Sequence, residues 1–149
     1  METNMNIFEE TYNKVQLAKK VFDTATTEAE KAEARALYKT ARAEITALGE
    51  IACRIYREYE TSRDSGNDYL DISEAVWDKD VESLITCLRD NGIEHFTFSS
   101  KWGSAVETAW LFQQNGCTLE GLIEINSHFT KWDSDEHEKA HGYLFRVED

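Results

Sequence analysis

The 149-residue chain is acidic, with 29 Asp and Glu side chains against 16 Lys and Arg and a formal net charge of -13. Its length suits one domain or one domain with an appendage, and its 41% hydrophobic content is enough for a core. The charge argues against direct binding to nucleic acid or anionic lipid, because both are negatively charged. It favours a solubilising surface or an interaction with a basic protein surface.

The cysteines predict a reducing, cytoplasmic environment. Cys53, Cys87 and Cys117 are widely spaced, odd in number and set among apolar neighbours, which favours reduced, packed thiols over a disulfide framework. The N-terminal METNMNIFEE lacks a signal-peptide pattern, and no apolar run reaches the roughly 20 residues of a membrane span. Proline is absent, which favours long helices.

Two amphipathic helices are predicted before residue 63. The first runs from Asn4 to about Phe22, with its large apolar side chains on one stripe: Phe8, Tyr12, Val15 and Phe22. Thr27 and Glu30 have capping-box spacing, which starts the second helix at residue 28. The short connection predicts an antiparallel helical hairpin over residues 1–62.

The second helix is expected to continue without a break to about Ser62, because its apolar residues alternate steps of four and three. This seam comprises Ala34, Tyr38, Ala41, Ile45, Leu48, Ala52, Ile55 and Tyr59. Gly49 lies inside it at a cost of about 1 kcal/mol relative to alanine, and permits a close helix crossing. A dimeric coiled coil is the alternative use of the seam, so a monomer and a homodimer both stay open.

A small α/β domain is predicted over residues 63–149, after the polar segment SRDSGND. Apolar spacing predicts one or two helices between Ile72 and Leu88 and a helix opened by a capping box at Ser104. Each helical region ends at an Asn-Gly pair, residues 91–92 and 115–116. The expected strands are Ile93–Ser99, Leu119–Ile125 and Tyr143–Val147.

The fold class is therefore α+β, with an N-terminal antiparallel helical hairpin followed by a small three- to four-stranded mixed sheet with packed helices. The two successive units of helix, Asn-Gly and strand predict a parallel strand pair joined by a right-handed crossover. The last strand is expected to return antiparallel to the Leu119 strand.

A histidine motif near the C-terminus matches a zinc-peptidase pattern. His137 and His141 belong to HEKAH, and on a helix they would share one face with Glu138 placed to activate water. The segment from Ser134 to His141 gives at most two helical turns, without an apolar helical scaffold around it. We therefore expect a solvated short helix and no cofactor, with His137 and His141 as weak metal candidates.

The turn from Ser99 to Ser104 lies at the carboxyl end of a predicted strand and the amino end of a helix, where α/β sheets bind ligands. Ser99, Ser100 and Ser104 form a candidate ligand site for a phosphate or carboxylate. The glycine pattern matches neither a dinucleotide fingerprint nor a P-loop. A capped turn with Trp102 packed over it is the simpler interpretation.

Four tryptophans and the acidic helix surface suggest where a partner binds. Trp77 and Trp110 fall on predicted apolar faces and are expected in the core. Trp102 and Trp132 fall in loops, where exposed tryptophans serve as interface anchors, and Lys101 adjoins the first of them. Carboxylates along the helical hairpin, among them Glu44, Glu50 and Glu58, can imitate phosphates, although interleaved Lys and Arg also suit ordinary salt bridges.

Much of the C-terminal half resembles a group of small uncharacterised proteins carried on phages and conjugative elements of gut-dwelling Gram-positive bacteria. The resemblance rests on WDKD at 77–80, NGI at 91–93, FTFSS at 96–100, AVETAWLFQQNG at 105–116 and LEGLIEIN at 119–126. It implies a setting and no functional residues. Small acidic proteins of that setting include anti-CRISPR proteins, which often occupy the nucleic-acid groove of a nuclease.

The sequence thus favours a non-enzymatic, acidic protein that binds a partner with a basic surface, such as a CRISPR nuclease, and blocks it. The alternative is a small-ligand-binding or hydrolytic α/β domain that uses the turn from Ser99 to Ser104.

Overall fold

The computed structural model describes residues 6–73, 76–100 and 104–149, and its fold is α+β, as predicted. It divides into two compact units, residues 1–53 and residues 54–149. Among the described residues, no helix combines the length and apolar character needed to span a membrane.

The first unit is helical, with α1 at Ile7–Thr24, α2 at Glu28–Ala41, α3 at Ala43–Leu48 and the start of α4, which spans Glu50–Asp64. Residues 25–27 connect α1 to α2, and the two helices pack against each other as the predicted hairpin. Thr27 accepts a hydrogen bond from the Glu30 N–H at 3.1 Å and donates its hydroxyl hydrogen to the Glu30 carboxylate at 3.1 Å. The predicted capping pair therefore starts α2.

The prediction of an unbroken second helix was wrong. The helix is interrupted at Arg42 and again at Gly49, which has a φ of 108°. This conformation is open to glycine and strained for other residues, so α3 ends there. Leu48, expected in the buried seam, is 50% exposed.

The second unit contains a four-stranded sheet and the helices packed on it. The strands are β1 at Leu70–Ile72, β2 at His95–Phe98, β3 at Cys117–Thr130 and β4 at His137–Val147. A 3-10 turn at Asp78–Asp80 leads into α5 at Val81–Asp90, and α6 spans Ala105–Gln114.

The strand order is β1-β2-β4-β3, with β1 parallel to β2 and the other neighbours antiparallel. The parallel pair therefore joins β2 to β1, whereas the sequence placed it between β2 and β3. The three residues of β1 were missed because a strand this short shows no periodicity and lies beside a helical pattern. The antiparallel return of β4 along β3 is confirmed, in strands longer than expected.

Four phenylalanines form the centre of the core in the second unit. Phe112 from α6 meets Phe96 and Phe98 of β2 edge to face, each with ring centroids 5.2 Å apart, and Phe145 of β4 at 5.4 Å. Edge-to-face packing adds about 0.5–1.5 kcal/mol per pair to the burial of these rings. The aromatic cluster thereby fixes α6 on β2 and β4.

Both Asn-Gly helix ends are confirmed, because Gly92 and Gly116 have φ angles of 78° and 91°. The capping box at Ser104 is not formed. The Ser104 side chain makes no capping hydrogen bond, since its backbone (φ -82°, ψ 2°) lacks the extended conformation of a typical N-cap. The helix starts at residue 105 as expected.

Candidate functional site

The predicted serine turn contributes one hydroxyl to a buried polar cluster. Ser99, half-buried after β2, donates to Oδ2 of Asp71 at 2.7 Å. Ser100 is half-buried and Ser104 is exposed. Lys101 and Trp102 lie outside the described residues. The structure therefore links Ser99 to β1 through the Asp71 carboxylate.

Asp71 is the buried carboxylate of this cluster. It lies in β1 and is 8% exposed, with Thr97 of β2 donating to Oδ1 at 2.7 Å. Burial raises the pKa of Asp71, and the hydrogen bonds from Thr97 and Ser99 and the nearby charge of His128 partly offset this rise. The Asp71 N–H donates to Ser62 Oγ of α4 at 2.8 Å.

The sequence did not single out Asp71, because in a chain with 29 Asp and Glu residues a single acid does not indicate a buried or functional position. The signal that could have revealed it is an acid between two apolar residues, Leu70 and Ile72, in a run of strand length. Since both carboxylate oxygens already accept hydrogen bonds from the sheet, the cluster holds β1 on β2 and positions Ser99 structurally.

The histidine motif is not on a helix. His137 and His141 both lie in β4, where His137 pairs with Thr130 and His141 with Glu124 of β3. Four residues of strand separate them by about 13 Å, too far for one metal ion. His137 Nδ1 is 2.8 Å from the Ser127 carbonyl oxygen. Across the described part of the chain, no group of three metal-ligating side chains is present.

Two tryptophans predicted in the core are exposed, so that prediction was wrong. Trp77 is 68% exposed and Trp110 57% exposed. In α6 the buried side chains are Thr108 and Phe112, one helical turn apart. Trp110 lies between them in sequence and therefore points to the opposite side of the helix.

Trp132 lies in the turn that joins β3 to β4 and is 95% exposed, as its loop position predicted. We call residues 129–136 the hairpin tip. The Lys131 N–H donates to the Glu136 carbonyl at 2.8 Å, and Lys131 Nζ lies 3.1 Å from the Glu136 carboxylate. Asp133 has a φ of 55°, which completes the turn. These bonds define the backbone that presents Trp132.

The hairpin tip extends beyond the end of β2, the strand on the other side of β4. The short β2 pairs with residues 143–146 of β4, whereas β3 pairs with β4 as far as Thr130 and His137. Residues 137–142 of β4 therefore pair with β3 and with no residue of β2. Phe129 of the hairpin tip is exposed as well, and the carboxylates of Asp133, Asp135 and Glu136 outnumber the single Lys131 ammonium of the tip.

The predicted acidic residues divide between the two units. Glu44 and Glu50 are exposed in the first unit. Glu58, in the second unit, is half-buried, and its carboxylate accepts a hydrogen bond from Ser73 Oγ at 3.3 Å. Glu58 therefore takes part in a hydrogen bond within its own unit, whereas Glu44 and Glu50 face solvent.

Fold and site together define an α+β protein with an acidic, aromatic-tipped hairpin. A family model described as "Domain of unknown function (DUF7698)" matches residues 54–147, and the chain belongs to that family. The match coincides closely with the second unit and includes the whole sheet and the hairpin tip. Comparisons with curated proteins and with solved structures give no match.

Proposed function

We propose that this protein is a non-catalytic inhibitor that binds a basic protein surface and uses the hairpin tip as its anchor. The observation that carries the proposal is Trp132, almost fully exposed among carboxylates at the end of a protruding ribbon. An exposed tryptophan leaves a large apolar surface in water, and tryptophan is prominent among the residues that dominate binding energy.

The charge of the whole chain indicates the kind of partner. A net charge of -13 attracts basic surfaces and repels nucleic acid. Surfaces that hold phosphate backbones are strongly basic, so an acidic protein is suited to occupy them in place of nucleic acid. Glu44 and Glu50, both exposed, contribute to this acidic surface.

The resemblance to proteins of phages and conjugative elements gives this partner a setting. We infer a cytoplasmic inhibitor of a host defence enzyme that binds nucleic acid, of the anti-CRISPR kind, with a CRISPR nuclease as the first partner to test. Such an inhibitor needs no catalytic group.

The test is capture from a lysate of a Gram-positive gut bacterium, followed by mass spectrometry and by binding and cleavage assays with each purified partner. We expect a nuclease that is released by added duplex DNA and whose cleavage of DNA is inhibited. Trp132→Ala should weaken the affinity at least about 30-fold, the effect of losing an interface anchor worth about 2 kcal/mol.

Trp110→Ala is the matched control, because it removes another exposed tryptophan of the same unit while leaving the hairpin tip intact. Equal affinity of the two variants would contradict the anchoring role of Trp132. A partner that DNA fails to displace would contradict the occupation of a nucleic-acid groove.

A further inference from the structure

Among the residues that the structure describes, the sheet has one open edge. β3 is the last strand in the order, and between its two register shifts, from Gly121 to Asn126, it pairs regularly with β4 on one side. In the part of the chain that the structure describes, no strand pairs with its other side, which we call the outer edge of β3. The opposite end of the sheet is short and covered, since Ser62 of α4 accepts from the Asp71 N–H.

The side chain of Asn67 already forms hydrogen bonds with the backbone at this edge. Its side-chain amide donates to the Asn126 carbonyl at 2.8 Å and accepts from the Asn126 N–H at 2.8 Å. This pair of bonds is the one that a residue of an added strand would make. Because outward-pointing groups alternate along a strand, the backbone groups of Glu124 and Leu122 face the same edge. Both residues are exposed.

A cavity of about 170 Å³ lies beside these groups. It is lined by residues 66–69 and 123–126 and by Lys139. Asp68 and Glu124 bring two exposed carboxylates to it. The single cation, Lys139, directs its ammonium to the Asn126 side-chain oxygen. The cavity therefore has an excess of negative charge next to a free strand edge.

We propose that the outer edge of β3 binds an extended basic segment of the partner as an added strand, with a Lys or Arg side chain between Asp68 and Glu124. This inference rests on the proposed function and identifies which part of the partner is recognised. Main-chain hydrogen bonds to Leu122 and Glu124 supply affinity, and the cavity supplies specificity. A second copy is disfavoured as the occupant, because each copy carries a net charge of -13.

The first experiment follows amide hydrogen exchange by NMR in the full chain, with the capped pentapeptide TVRVT as the probe and TVEVT as its control. We expect slower exchange at Leu122 and Glu124 with TVRVT alone. Asp68→Asn and Glu124→Gln should each weaken TVRVT binding about tenfold, because each removes a charge-assisted hydrogen bond. Glu138→Gln, which removes an exposed carboxylate that does not line the cavity, is the matched control.

A second experiment separates strand addition from nonspecific charge attraction. Only alternate amides of an added strand face its neighbour. N-methylation of one alternate set of TVRVT amides should therefore abolish binding, and N-methylation of the other set should leave it intact.

Three results would overturn the proposal: equal binding of TVRVT and TVEVT, equal loss for both N-methylation patterns, or peptide-independent protection of Leu122 and Glu124 that rises with protein concentration. The last result would assign the edge to a second copy. Failure of the peptide with Trp132-dependent capture intact would refute the edge site alone, whereas peptide binding without such capture would refute the hairpin-tip anchor alone.

Discussion

Asp71 shows how a single residue joins three elements. Its backbone N–H binds α4 through Ser62, and its carboxylate binds β2 through Thr97 and Ser99. Those bonds compensate for removing a carboxylate from water, yet burial still dominates and the pKa of Asp71 is raised. The carboxylate is therefore a structural connection with a dependence on pH.

We expect Asp71→Asn to flatten the pH dependence of stability. Because the pKa of Asp71 is higher in the folded protein than in the unfolded chain, the folded state binds the proton more tightly. The contribution of Asp71 to the free energy of unfolding is therefore largest at low pH and falls as the pH rises through the folded pKa.

Urea unfolding of both proteins between about pH 4 and about pH 7, a range that begins near the ordinary carboxyl pKa, measures this effect. The unfolding free energy of the parent minus that of Asp71→Asn should decrease with rising pH. A difference that is constant or increases would contradict the raised pKa.

Side chains of one helix, α6, differ in how much they stabilise the fold. In α6, Phe112 packs into the aromatic cluster, whereas Trp110 faces solvent. At the end of the same helix, Gly116 has a φ of 91°, and an added Cβ would lie 2.9 Å from Arg89 Nη2. Arg89 donates to the carbonyls of Asn115 and Glu148.

Phe112→Ala should lower the free energy of unfolding by about 3–5 kcal/mol, because it opens a cavity among three other phenylalanines. Trp110→Ala on the opposite side of α6 should cost less than about 1 kcal/mol. Denaturant unfolding of both variants compares them. Similar losses would show that Trp110 is part of the core, contrary to the structure.

Gly116→Ala should lower the free energy of unfolding by about 1–2 kcal/mol, because it places a side chain in the left-handed region and displaces Arg89. Gly121→Ala is the control, since no atom other than those of its chain neighbours lies within 4 Å of its added Cβ. Thermal unfolding distinguishes the two. A smaller effect at Gly116 than at Gly121 would refute the role of the Asn-Gly helix end.

The molecule as a whole could be predicted where local patterns determine structure. The Thr27 and Glu30 pair and the glycines at 92 and 116 mark helix ends through local backbone geometry, and the sequence places those ends correctly. Strand partners depend on distant residues, so the insertion of β4 between β2 and β3 was missed. HEKAH fits either helical or strand spacing, and its ladder with β3 makes it a strand.

The exposure of the tryptophans was predicted in part for the same reason. Trp132 lies in a polar segment, which is sufficient to predict exposure. Apolar residues lie on more than one side of α6, including the exposed Val106 and Trp110, so the sequence alone could not determine which side of the helix faces the sheet. The outer edge of β3 is defined only by the strand order.

We proposed that the acidic surface of this protein binds a basic surface of its partner. The most direct test is to measure the affinity for the captured nuclease as a function of salt concentration. Attraction between a chain of charge -13 and a basic groove is screened by ions, so we expect the affinity to fall steadily as salt rises. Replacing Glu44 and Glu50 by Lys should weaken binding and reduce that salt dependence. An affinity indifferent to both salt and these charge reversals would contradict the proposal.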